Sequence, residues 1–440
     1  MFWIELIIVL AIIFIGVRVG GTFLAMAGGV GMFIMTFILH VTPSDPPVTV
    51  ILIMIAVICA AATMQACGGL DYLVRIAEKI LRKNPKMITI LAPVVAYIFT
   101  FMCGTGHIVY SLLPVINEIS IETGVRPERP ISASIVSSQQ AITACPISAA
   151  TVGILAFMAE ATNYTTVNIF TLLLVCIPAT LIGTVVAAIA VLKKGKELAD
   201  DPEFQARVAA GQIEDFSKKE KEEKKVSKEA KISVTIFLIA MAGIVLLGAV
   251  SGLVPTLADG SKLPLTTVIE IFMLVAAAAM ILLTKLDSNK VLDQPVFKTG
   301  MFAVVLAFGL CWLVNTFIGD QSSFITDNMS ALTNEHPWIY IVAVFIVGAI
   351  TTSQSSTTMI MVPIGIALGL PANVIVAGWI ACSSNYFIPA SGQCVAAIAF
   401  DSAGTTKIGK FVLNHSYMIP GLVCTVVSVI VALLIGAVVF

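Results

Sequence analysis

The sequence predicts an all-α polytopic membrane protein made of two inverted-topology repeats, each with a re-entrant hairpin and a broken helix. Three observations lead there. Of 440 residues, 58% are hydrophobic and only 12% charged, with a mean hydropathy of +1.01, against about 25% charged in an ordinary soluble domain. Apolar stretches long enough to cross a bilayer recur along the whole chain. Four further apolar regions, 87–118, 131–159, 338–370 and 371–400, are each interrupted midway by polar residues, Gly or Pro.

A spanning helix needs about 20 apolar residues. Uninterrupted candidates lie at about 2–17, 20–40, 48–66, 166–192, 232–254, 265–285, 299–318 and 412–439. The start, Met1-Phe2-Trp3-Ile4-Glu5, enters the first without a basic n-region or a small-residue cleavage site, so a retained first helix is expected. The 25 basic and 26 acidic residues nearly cancel, which gives no basis for nucleic-acid binding. Nine scattered cysteines form no Cys-x-x-Cys pair and read as space-filling thiols, neither disulfides nor metal ligands. The Walker A, His-Glu-x-x-His and Gly-x-Ser-x-Gly signatures do not occur, so neither a nucleotide-driven pump nor an enzyme of those classes is expected, and no cofactor.

The charges divide the chain. Residues 193–231 hold 11 of the 25 basic residues among almost as many acids, the composition of a solvated linker. It separates a first repeat, 1–192, from a second, 232–440. With that linker in the cytoplasm, Arg18, the amphipathic stretch 75–86, Arg126, Arg129, Lys285, Lys290, Lys298, Lys407 and Lys410 fall on the same side. Lys262 remains alone on the other, beside the acidic loop 319–338. The positive-inside rule then puts both termini outside.

Each half now has three spans, an interfacial stretch (68–86, then 319–337), a broken hairpin, a broken span and a last span. An odd number of crossings inverts the second half relative to the first, the plan of many secondary transporters. Gly104-Thr105-Gly106-His107 precedes Pro114 as Ser353-Gln354-Ser355-Ser356-Thr357 precedes Pro363, ten residues from Gly104 and from Ser353. Likewise Ser137-Ser138-Gln139-Gln140, Thr143 and Pro146-Ile147-Ser148 face Ser383-Ser384-Asn385 and Pro389-Ala390-Ser391.

Unpaired backbone groups cannot face lipid, so four breaks imply a polar site near the midplane. Each break starts a new half-helix whose N-terminus carries about +0.5 charge, so four converging ends offer about +2, a match for a dianion held without buried Lys or Arg. The hydroxyls of Thr105, Ser137, Ser138, Thr143, Ser148, Ser353, Ser355, Ser356, Thr357, Ser383, Ser384 and Ser391 are candidate donors; their alternative role is bonding carbonyls one turn back. Gln139, Gln140, Gln354 and Asn385 read as cavity-facing amides, because an unpartnered amide is costly in an apolar span. His107 either contacts substrate or a coupling proton, or caps its hairpin.

The strings Gly68-Gly69-Leu70-Asp71-Tyr72-Leu73, Cys103-Gly104-Thr105-Gly106-His107, Arg126-Pro127-Glu128-Arg129-Pro130 and Gly404-Thr405-Thr406-Lys407-Ile408-Gly409-Lys410-Phe411, in this order, resemble the Dcu family of bacterial anaerobic C4-dicarboxylate transporters of the DcuA/DcuB type. The resemblance implies an inner-membrane secondary carrier of fumarate, succinate, malate and aspartate, working by exchange or by coupling to protons or sodium ions. It also implies a paired-hairpin site, elevator motion against a scaffold, and a homodimer. His107 resembles the DcuB form and Pro146-Ile147-Ser148-Ala149-Ala150 the DcuA form. Rival readings are a carrier of another organic anion, a cation/proton antiporter on the same architecture, and a membrane sensor using 193–231 as output arm.

Overall fold

The computed structural model describes residues 1–440 apart from 20–21, 212, 214–225, 259, 322, 325–334, 390 and 410–413. The central part of the charged run, most of the acidic loop and Lys410 therefore lie outside the described residues. What is described is helical, with two isolated β-bridges (Thr256 to Lys262 and Ile408 to His415). Among the described residues, eight helices are long and apolar enough to cross a membrane, including Val48–Ala66, Ile169–Ala190 and Met418–Val439.

In chain order the elements are α1 Phe2–Val19, α2 Thr22–Phe33, α3 Val48–Ala66, α4 Gly69–Lys83, α5 Ile88–Cys103, α6 Val109–Glu122, α7 Glu128–Ala141, α8 Ala149–Glu160, α9 Ile169–Ala190 and α10 Pro202–Ala209. There follow α11 Lys228–Ala249, α12 Leu265–Thr284, α13 Pro295–Leu306, α14 Trp312–Asp320, α15 Trp338–Thr351, α16 Gln354–Ala367, α17 Ala372–Ile380, α18 Gly392–Phe400 and α19 Met418–Val439. A π-turn at Ile34–Ile38 ends α2, and another at Ala307–Cys311 joins α13 to α14.

The elements pack as two bodies. One gathers α1–α3 with α11–α14; the other gathers α5–α9 with α15–α19. Polar bonds pin the second body internally: Tyr97 Oη and Thr180 Oγ1 lie 2.7 Å apart, Ser137 Oγ donates to the Pro93 carbonyl at 2.6 Å, and Tyr386 Oη meets Thr425 Oγ1 at 2.8 Å. With little hydrophobic driving force between helices in lipid, such pairs and close small-residue packing supply the cohesion. The bodies meet where α3 touches α8, where α11 touches α9, and where α16 touches α13, α14 and the π-turn between them. Among the described residues all nine cysteines are free, and no cluster of three metal-ligating side chains occurs.

The linker differs from the solvated stretch that its composition suggests. Its first part docks on the second body. Arg126 Nη1 reaches Asp201 at 2.5 Å and its Nε reaches Glu128 at 2.8 Å, Arg129 Nη1 bonds Glu197 at 2.7 Å, and Lys194 Nζ lies 3.0 Å from Glu128. Leu198 and Phe204 are buried against Ala403. Burial alone would raise the Asp201 carboxyl, but Arg126 and the backbone N–H groups of Glu203 and Phe204 hold it below the usual aspartate range. The physical reason for the docking is pairing: acids placed every few residues meet arginines at the start of α7, so the segment sheds water without stranding a charge.

Candidate functional site

The four interruptions fall where the sequence places them. Each starts a helix whose N-cap is a hydroxyl side chain accepting from a backbone N–H: Thr105 from His107, Ser148 from Thr151, Ser353 from Ser356 and Ser391 from Cys394. Before the two hairpin tips the chain must reverse through the left-handed region. Gly104 does so at φ +70° and Thr352 at φ +51°. By backbone role Gly104 therefore corresponds to Thr352 and Thr105 to Ser353, one residue away from the pairing of Gly104 with Ser353 that equal Pro spacing suggests. The offset arises because the first tip carries a separate 3-10 turn, Gly106–Ile108, before α6, whereas α16 begins directly as an α-helix.

The starts of α6, α8, α16 and α18 all border one cavity of about 770 Å³ between the two bodies. Its walls differ in character. The second body presents Gly104, Thr105, Gly106, His107, Gln139, Ser353, Gln354, Ser355, Ser356, Asn385 and Ser391; the first presents mainly Leu24, Met54, Val57, Ile58, Phe302 and Ala303. At the centre Gln139 Oε1 accepts from Gln354 Nε2 at 2.6 Å and from Asn385 Nδ2 at 2.7 Å, while Ser383 Oγ donates to the Gln139 carbonyl at 3.3 Å. Three polar atoms here are buried without a protein partner: Gln139 Nε2, Ser356 Oγ and Asn385 Oδ1. Such groups are costly unless something else satisfies them.

The remaining candidates sit behind this surface. Ser138 Oγ bonds Thr100 Oγ1 at 2.7 Å and the Gly106 carbonyl at 3.4 Å, steadying the first tip. Ser137 ties α7 to α5, Gln140 Nε2 donates to the Ile380 carbonyl at 3.3 Å, and Ser384 donates to that of Phe345 at 2.6 Å. Thr143 bonds the Gln140 carbonyl, and Thr357 that of Ser353, both at 2.8 Å. Ser148 caps α8 and donates to Ile142 O. Pro146 and Pro389 are buried in the turns that interrupt the two broken spans. For these hydroxyls, bonding to carbonyls is what the structure displays.

His107 lines the cavity with its ring stacked on Tyr110, centroids 5.9 Å apart at 13°. A Cβ at Gly106 would lie 2.8 Å from Gln393 Nε2, so a side chain there would push the Gln393 amide aside. Sequence reasoning missed Tyr110, Thr352, Gln393 and Lys298, all of them lining residues. Tyr110 and Gln393 are one turn or less past recognised break residues, a spacing that could have found them. Lys298 is exposed on α13 and, among the described lining residues, is the only Lys or Arg.

Over residues 1–440 the chain matches the family described as anaerobic C4-dicarboxylate membrane transporter. It is 39% identical over 432 residues to the anaerobic C4-dicarboxylate transporter DcuB of Escherichia coli O157:H7, covering 97% of each chain. It is 38% identical over 435 residues to the C4-dicarboxylate transporter DcuA of Escherichia coli strain K12, covering 99% of each. Among solved structures, the YdaH transporter of Alcanivorax borkumensis shares the fold, with a TM-score of 0.59 at 15% identity over 93% of this chain and 89% of that one.

Proposed function

Because the chain belongs to the anaerobic C4-dicarboxylate membrane transporter family, we propose that it is a secondary carrier of C4-dicarboxylates such as fumarate, succinate, malate and aspartate. It works across the bacterial inner membrane, by exchange or by coupling to protons or sodium ions. The observation that carries this reading is the convergence of four half-helix N-termini on one cavity whose polar wall holds no Lys or Arg. Together those ends supply about +2 of partial charge, and their free N–H groups and hydroxyls donate to carboxylates. A monocarboxylate would leave half of that field unmatched.

The contrast between the walls suggests how the carrier moves. A surface whose amides and most of whose hydroxyls belong to the second body can slide along a mainly apolar wall of the first, which adds only Thr22, Lys298 and Thr299 as polar lining, at little cost in polar bonds. This favours an elevator motion in which α5–α9 and α15–α19 carry the substrate past α1–α3 and α11–α14. The two halves then act as inverted repeats, with the charged linker cytoplasmic, both termini periplasmic and the scaffold body available for dimer formation.

Counterflow in proteoliposomes tests the reading. Vesicles loaded with unlabelled succinate should accumulate external labelled fumarate and aspartate. Accumulation without an ion gradient means exchange; accumulation only with a proton or sodium gradient means symport. If no C4 acid moves, the substrate class is wrong.

A further inference from the structure

The acceptor left over at the centre of the cavity carries an inference about selectivity, which rests on the C4-dicarboxylate reading above. Almost everything the half-helix ends offer is a donor, namely N–H groups and hydroxyls. Asn385 is different. It lines the cavity, is 2% exposed, and its Nδ2 donates to Gln139 Oε1 at 2.7 Å. The same Gln139 oxygen accepts from Gln354 Nε2, which fixes the sense of the three amides relative to one another. Asn385 Oδ1 is thereby left as a buried acceptor with no protein partner.

An acceptor is a poor neighbour for a carboxylate and a good one for an ammonium or hydroxyl. In a C4-dicarboxylate such a donor has one place, on a methylene carbon between the two carboxylates. We propose that Asn385 is a specificity-determining residue whose Oδ1 accepts a hydrogen bond from a donor on C2 of the substrate, favouring 2-amino and 2-hydroxy C4-dicarboxylates over unsubstituted ones. An acid with a bare chain either leaves Oδ1 unpaired or makes Gln139, Gln354 and Asn385 turn over together. Sites built to hydrogen-bond a substrate group reject analogues lacking it far better than apolar pockets reject an extra methyl.

Full-length protein in proteoliposomes decides this by competition against labelled-fumarate counterflow. Malate, aspartate, succinate and the matching enantiomer of 2-methylsuccinate are compared, the methyl being close in size to the hydroxyl and ammonium but unable to donate. For the wild type, 2-methylsuccinate should compete about tenfold less well than malate or more. Asn385→Ala should bring malate, aspartate and 2-methylsuccinate to within a few-fold of one another. Asn385→Asp, acceptor-only in every rotamer, should weaken succinate and spare aspartate. Equal competition by malate and 2-methylsuccinate in the wild type overturns the proposal, and so does a parallel loss of all four acids in Asn385→Ala. The wild-type series stands even if the variants do not fold. Absence of any C4 exchange by the wild type is a separate result, which removes the transport reading and the proposal with it.

Discussion

Gln354 Nε2 donates to Gln139 Oε1 at 2.6 Å, so the tip of the second-half hairpin is fastened to the broken span of the first half at the cavity itself. Neither residue has another side-chain route to satisfying its buried amide than through this group and Asn385. Replacing Gln139 by Ala should therefore strand the Asn385 amide, leave Gln354 Nε2 with only the residue-139 backbone carbonyl at 3.3 Å, and destabilise the protein by about 1–3 kcal/mol. In a double-mutant cycle with Gln354→Ala, thermal unfolding in detergent should show a coupling of about 0.5–3 kcal/mol. Strict additivity would mean the bond contributes nothing.

Bulk at the hairpin tips should block transport while leaving the protein in the membrane. Thr105→Trp and Ser355→Trp both project into the cavity from half-buried positions. Counterflow is expected to fall to background with membrane abundance unchanged; normal flux in both variants would place the substrate elsewhere.

Thr352 makes at φ +51° the same reversal that Gly104 makes at +70°. A β-branched residue pays for that conformation, about 1–2 kcal/mol per residue on steric grounds. Thr352→Asn should raise the melting temperature modestly. Gly104→Val should lower it, because its Cβ would also meet Ile147 Cγ1 at 3.1 Å. A melting temperature lowered by both changes would show that the threonine is held by packing instead.

Lys298, on α13, is the only Lys or Arg among the described residues lining the cavity. Lys298→Gln should raise the KM for dianions severalfold and flatten the dependence of uptake on ionic strength, with the maximal rate little changed. An unaltered salt dependence would remove its steering role.

The Asp201 carboxyl is held below its ordinary range in the folded state. Its pairing with Arg126 therefore stabilises the docked segment fully above the unfolded aspartate value near 3.9 and is lost as pH falls through the lower folded value. Pepsin cleavage within 193–209 should stay slow above the ordinary aspartate range and accelerate only as pH falls below it. Asp201→Asn should expose the segment to trypsin even at neutral pH.

Much of this was legible from composition and interruption. Spans, breaks and all four N-capping hydroxyls follow from local chemistry, since a hydroxyl before a new helix has a backbone donor to satisfy wherever the helix lies. Depth is what sequence could not supply. Gln139 and Gln140 are neighbours of the same type, yet only Gln139 lines the cavity, because successive residues on a helix point about 100° apart and the facing direction is set by partners such as Ile380 and Gln354. The docking of 193–209 was hidden for the same reason: a mixed-charge run looks solvated until its arginine partners 70 residues away come into view.

That docked segment also sets a leash length. If residues 193–209 stay with α7, the middle one of the three chain connections between the two bodies starts near residue 210 and ends at α11, not at the end of α9. The 18 residues from 210 to 227 extend to about 60 Å at most. Its contour length alone therefore sets no tight limit on the separation of its two ends, whereas a connection starting at the end of α9 would also count residues 191–209 as free chain.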